Sequence, residues 1–177
     1  LFVLSGPGGV GKSTIVEEIK RSDRFYFSVS ATTRKPRIGE VDGVAYFFVT
    51  NEKFQEMIDD NQFLEYADFA GHRYGTPKEP VLRALESGKN VILEIEIQGA
   101  RQVKTVMPEA VMVFIAPPSI DDLMARLEGR GTDDPDRIKA RLELAQEEMA
   151  AAHEFDHILV NHRVEEVVAA LVSLATS

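Results

Sequence analysis

The run Gly6-Pro7-Gly8-Gly9-Val10-Gly11-Lys12-Ser13 satisfies the pattern G-x-x-x-x-G-K-[ST] and lies between an apolar run at 1–5 and helical periodicity at 12–21. Glycine lets the backbone wrap around a phosphate with its N–H groups pointing inward. Lys12 adds a point charge for the outer phosphates, and the Ser13 hydroxyl can ligate Mg²⁺. Such a loop needs a buried strand before it and a helix after it, so it constrains the start of the fold to a strand–loop–helix unit. An ordinary glycine turn capping a helix is the competing reading.

The rest of the chain extends that unit. Apolar runs rich in β-branched and aromatic residues recur at 1–5, 26–30, 91–97, 111–116 and 157–160. Helical periodicity covers 12–21, 52–60, 78–87, 120–127, 135–153 and 164–175, with Gly88 as a stop. The alternation predicts an α/β fold with a parallel sheet flanked by helices. Between the second run and Gly75 the rhythm changes. Gly39, Gly43, Gly71 and Gly75 punctuate short alternating segments at 44–49 and 63–69, which predicts a small antiparallel insertion at one edge of the sheet. A second polar insertion, 128–136, carries Gly129, Gly131 and Pro135 beside several arginines.

With 177 residues, 44% of them hydrophobic, the chain is long enough to bury the core of one compact domain. A net charge of −9 argues against nucleic acid or an anionic membrane as partner, since both reward a basic face. The absence of cysteine excludes disulfides, thiolate metal sites and a cysteine nucleophile, and fits the cytoplasm as location. No apolar run approaches the length of a membrane span. The sequence opens inside an apolar run without methionine, so further residues are expected upstream.

Two side-chain sets stand out by chemistry. Arg34 and Arg37 with Tyr46 and Tyr74 suit a phosphate dianion, because guanidinium forks match phosphate oxygens; a solvated basic loop beside two core aromatics is the alternative. On a strand, Glu94 and Glu96 share one face, opposite Ile95 and Ile97, so both carboxylates can reach a cleft at the sheet's carboxyl edge. Solvated surface acids are the alternative there.

The segment Ser28-Val29-Ser30-Ala31-Thr32-Thr33-Arg34-Lys35-Pro36-Arg37-Ile38-Gly39-Glu40 resembles the one that leads into the GMP site of guanylate kinases. The resemblance continues through 43–48, Phe63-Leu64-Glu65-Tyr66, Tyr74-Gly75-Thr76, 91–99, 114–118 and 126–132, in the family's order and at nearly its spacing, over essentially the whole chain. It implies a P-loop NTPase-type core at 1–29, 77–125 and 142–177, a mixed or antiparallel GMP-binding insertion at 30–76 and a lid at 126–141. The implied reaction moves the γ-phosphoryl group of ATP to GMP with Mg²⁺.

By the same resemblance, the stretch from Gly6 to Lys12, Ser13 and Thr14 holds ATP, and Asn161 lies near the adenine. Arg34, Arg37, Tyr46 and Tyr74 are assigned to the GMP phosphate. Guanine presents N1–H and an exocyclic amine side by side, and Glu65 looks like the carboxylate that accepts from both. Ser30 and Thr76 would bond the purine near O6, with Glu94 as a second acceptor and Glu96 beside it. Thr76 stands where the family often has serine, and Glu94 and Glu96 where it often has aspartate. Arg126, Arg130 and Arg141 match positions near the ATP phosphates, and with Lys12 and Arg34 they make up the expected catalytic set. Arg126 and Arg130 would share a face if helix continued that far, whereas a plain charged helix face competes as the reading of Arg141.

Two other patterns compete for attention. Asp68-Phe69-Ala70-Gly71 fits the D-x-x-G of GTPases, but no N-K-x-D accompanies it. His153-Glu154-Phe155-Asp156-His157 fits the H-E-x-x-H of zinc proteases, with Glu165 or Glu166 as possible third ligand. His157 opens an apolar strand-like run, so the helix should end between the two histidines. The remaining rivals are a guanylate-kinase-like module that binds peptides without catalysis, against which the intact phosphate loop argues, and a kinase for another base.

Overall fold

A computed structural model of the chain describes residues 1–129 and 134–177. Strand β1 (Phe2–Ser5) is buried along its whole length, as befits a central strand covered on both faces. Its side chains alternate. Phe2 and Leu4 join Ile15, Ile19 and Leu171, the inner stripes of α1 (Lys12–Ile19) and α7 (Val164–Thr176). Val3 faces the other way, toward Val81 and Ala84 of α3 (Lys78–Glu86) and Ala100 and Val103 of α4 (Ile97–Val106). Each fully buried aliphatic side chain contributes about 1.5–3 kcal/mol, so these stripes fix the helices to the sheet.

The expected parallel sheet is observed. β2 (Phe25–Phe27) and β7 (Asn90–Glu94) lie on one side of β1, and β8 (Val111–Ala116) and β9 (His157–Val160) on the other, in the order β2-β7-β1-β8-β9 with all neighbours parallel. The chain leaves β1 for the outer strand β2, returns at β7, then crosses to β8. The carboxyl ends around β1 therefore open the crevice in which such sheets bind ligands.

Between β2 and β7 the chain builds a second, four-stranded sheet. β3 (Ala31–Thr32) pairs in parallel with β4 (Phe47–Phe48) and antiparallel with β6 (His72–Pro77), which pairs antiparallel with β5 (Phe63–Phe69). Helix α2 (Asn51–Asp59), capped by the Thr50 side chain, packs Phe54 on Phe63 with ring centroids 4.6 Å apart. Ala70 and Gly71 join β5 to β6 with φ of 51° and 79°, a two-residue turn whose twist suits a hairpin. That turn accounts for the D-x-x-G match.

Helix α5 (Ile120–Glu128) packs Leu123 and Leu127 against Ala145 of α6 (Pro135–Ala150). The Ser119 and Asp134 side chains cap their amino ends, with Pro135 at the first helical position of α6.

Several expectations change. The strand predicted over 91–97 ends at Glu94, because Glu96 is the N-cap of α4, a helix not predicted, and only Ile95 still reaches β1, donating its N–H to Leu4 at 3.1 Å. Within 44–49 only Phe47–Phe48 is strand, and of the two forms expected for the inserted sheet, mixed or antiparallel, the mixed one is observed. The helix predicted over 135–153 stops at Ala150. A single 3-10 turn at Ala152–Glu154 follows, and His157 opens β9, so His153 and His157 share no helical face. Among the described residues no helix is long and apolar enough to cross a membrane.

Candidate functional site

The phosphate loop caps β1. Gly6, Gly9 and Gly11 hold φ of 153°, 87° and 101°, and a Cβ on Gly6 would strike the Ile115 carbonyl. Helix α1 starts at Lys12, so its unpaired amides open toward the loop. The Lys12 ammonium donates to the carbonyls of Gly6 and Pro7. Burial pulls its pKa below that of an ordinary lysine, while Glu94, Glu148 and Glu96 work in the other direction. Ser13 and Thr14 are exposed.

One carbonyl ties the loop to distant elements. Val10 accepts from Nη1 of Arg126 at 3.0 Å and from Nδ2 of Asn161 at 2.8 Å. Asn161 is buried just after β9, and a Cβ on Gly11 would lie 2.8 Å from its Nδ2. Arg126 and Asn161 thus meet the backbone of the loop, whereas Arg141 is exposed on α6. Arg130 lies outside the described residues.

Beside the sheet's carboxyl edge opens a cleft of ≈ 320 Å³ that gathers Ser30, Arg34, Arg37, Tyr46, Glu65, Tyr74, Glu94 and Glu96 from both sheets. Its ends differ in charge. At one end the Arg34 guanidinium lies 5.2 Å from the centre of the Tyr46 ring, and Tyr46 packs edge-on against Tyr74. At the other, Glu65 is only 6% exposed. The hairpin register sets Thr76 opposite it, and the Thr76 hydroxyl donates to Oε1 at 2.8 Å. Burial pushes the Glu65 carboxyl up, and the bond from Thr76 opposes that shift. Burial also pushes Glu94 up, against the pull of Lys12.

The structure adds residues that the sequence left unremarked. Gly99 on α4 leaves room for Glu65: a Cβ there would lie 2.5 Å from the carboxylate. Gln102 on the same helix accepts from Tyr66 N at 3.1 Å and donates to Tyr66 O at 2.9 Å, so it completes the edge strand β5 and docks the second sheet on the core. Glu148 on α6 is half-buried, and burial with help from Glu96 and Glu147 pushes its carboxyl up to about 7, against Lys12. A run of acids at 143, 147 and 148 looks in sequence like a solvated helix face. A larger cleft of ≈ 660 Å³ is lined by Met57, Leu82 and Arg83 among others, and no phosphate-loop residue lines it.

A phosphate loop on the central strand, next to a cleft with arginines at one end and buried carboxylates at the other, defines a phosphate-loop kinase of the nucleoside monophosphate kinase class. Comparison with known proteins narrows the class. The family model for guanylate kinase matches residues 1–177. The guanylate kinase of Thermobifida fusca is 54% identical over 98% of this chain and 89% of its own length. That of Thermus thermophilus is 49% identical over 100% of this chain and 80% of its own. The crystal structure of guanylate kinase from Anaplasma phagocytophilum superposes with a TM-score of 0.77 at 30% identity, covering 98% of this chain and 82% of that one. The chain belongs to the guanylate kinase family.

Proposed function

We propose that this chain transfers the γ-phosphoryl group of ATP to GMP in the cytoplasm, with 30–76 as the GMP-binding insertion and 126–141 as a lid. The observation that carries this reading is the polarity of the ≈ 320 Å³ cleft, with Arg34, Arg37, Tyr46 and Tyr74 at one end and the Glu65–Thr76 pair at the other. The first set matches a phosphate dianion. The second matches guanine, whose adjacent N1–H and amine a carboxylate can accept together, and it rejects adenine, which lacks that donor pair.

The chemistry then needs little beyond positioning. Loop amides and Lys12 hold the outer phosphates of ATP, and Arg126, Arg141 and Arg34 spread the charge of the moving group. The attacking oxygen belongs to the GMP phosphate and is largely ionised at neutral pH, so no general base is required. For magnesium, Ser13 offers a hard hydroxyl oxygen at the start of α1. Glu94, in register with Leu4 at the end of β1, makes the surroundings acidic, as suits a divalent cation. When bound, the ion neutralises charge on the ATP phosphates.

An ADP-release assay with ATP and Mg²⁺, offering GMP, AMP, UMP, CMP and dTMP in turn, tests the reading. Turnover with GMP alone is expected. Equal turnover with AMP would overturn the guanine assignment, and no turnover from folded protein would favour a peptide-binding module instead.

A further inference from the structure

Glu40 reaches back across its loop to the arginines of the cleft. Its Oε1 accepts from Nη1 of Arg34 at 2.8 Å and its Oε2 from Nη2 at 3.0 Å, a two-pronged pair whose side chains are only 11% and 21% exposed. The remaining Nη1 proton goes to the Lys35 carbonyl at 3.0 Å. The carboxylate and that carbonyl thereby occupy two of the three edges of the guanidinium. Tyr46 and Tyr74 bear on the same guanidinium from the cleft.

Glu40 also folds the loop that carries the second arginine. Its N–H donates to the Arg37 carbonyl at 3.0 Å, and its Oε1 accepts from the Arg37 N–H at 2.7 Å. Between them Gly39 has φ of 87°, the conformation that the third position of a type II turn demands. One carboxylate thus fixes the guanidinium of Arg34 and the backbone of Arg37 in a segment, 35–39, that is exposed throughout.

We propose that Glu40 is a positioning residue that presets Arg34 and Arg37 for a phosphate dianion, acting on the phosphate end of the cleft and not on its base end. The inference rests on the reading of those arginines as the GMP phosphate site. A preset fork loses less freedom on binding, so its benefit falls on affinity for the phosphorylated ligand alone.

The test compares binding of GMP and of guanosine to the full chain and to Glu40→Gln, Glu40→Asp, Arg34→Met and the Arg34→Met/Glu40→Gln double variant, with thermal midpoints alongside. Glu40→Gln should weaken GMP by about tenfold and leave guanosine unchanged, with only a small fall in the thermal midpoint from the lost ion pair. Glu40→Asp should restore part of the loss, and Glu40→Gln should add little on the Arg34→Met background. Equal weakening of guanosine, or additivity in the double variant, would mean a merely structural role. Unchanged or tighter GMP binding by Glu40→Gln would also overturn the proposal. If Arg34→Met itself left GMP binding intact, the reading of the cleft would fail, whereas a strong Arg34 effect with a silent Glu40 sinks the positioning role alone.

Discussion

Glu65 and Thr76 face each other across β5 and β6, and among the described residues the buried carboxylate has one side-chain partner, the Thr76 hydroxyl at 2.8 Å. A buried carboxylate with acceptor capacity to spare is costly unless a ligand uses it. Replacing it by an amide puts a donor where the base also donates. Glu65→Gln is therefore expected to lower kcat/KM for GMP by about 100-fold, with KM for ATP roughly unchanged. Steady-state kinetics with each substrate varied in turn checks this, and an equal effect on both would point to misfolding. The residue types here were legible in the sequence because chemistry restricts them: two arginines for a dianion, a carboxylate for paired donors. Gly99 was not, because a close approach to Glu65 from another helix leaves no mark in its neighbours along the chain.

At the scale of elements, the second sheet has its own small core of Ala31, Phe54 and Phe63 and is joined to the larger one through Gln102 and through Leu64 of β5, which is buried with Val81, Leu93 and Ala100. Phe54 is fully buried, stacks on Phe63 and lies 4.8 Å beneath the Arg73 guanidinium. Phe54→Ala is expected to cost about 3–5 kcal/mol. Hydrogen exchange should register the loss in β3 to β6, while β1, β7 and β8 keep their protection. Uniform loss across both sheets would mean that they unfold as one unit. The same scale shows why α4 escaped prediction. Glu94-Ile95-Glu96-Ile97 alternates with period two straight through the strand-to-helix junction, so the pattern continues where the backbone turns. The opposite held for His153 and His157, where the apolar run after His157 already marked the helix end.

For the whole molecule, two carboxylates give stability opposite dependences on pH. The Arg34 guanidinium holds Glu40 down at about 2, so its contribution is present above the ordinary carboxyl range near 4.5 and is lost as pH falls toward 2. Glu148 is pushed up to about 7, so the folded state favours its neutral form. Its contribution is complete below about 4.5 and is lost as pH rises through 7. An amide resembles the neutral acid. Glu148→Gln should match the parent at pH 4 and exceed it by about 1 kcal/mol at pH 8, a figure already reduced for partial exposure. Thermal melts at both pH values check this, and a difference of the same size at pH 4 would refute it. Glu148 also bounds what the sequence could say. The sequence by itself determined the strand–loop–helix at 1–19, the parallel core and the residue types of the cleft, because backbone conformation, hydrophobic period and hydrogen-bond chemistry are local. Only the tertiary structure decided that α6 brings Glu148 into the field of Lys12, that Val10 ties Arg126 and Asn161 to the loop, and that Glu40 grips Arg34. Each is a choice among many acids and amides alike in sequence, made by the packing that sets which of them meets a buried or charged partner.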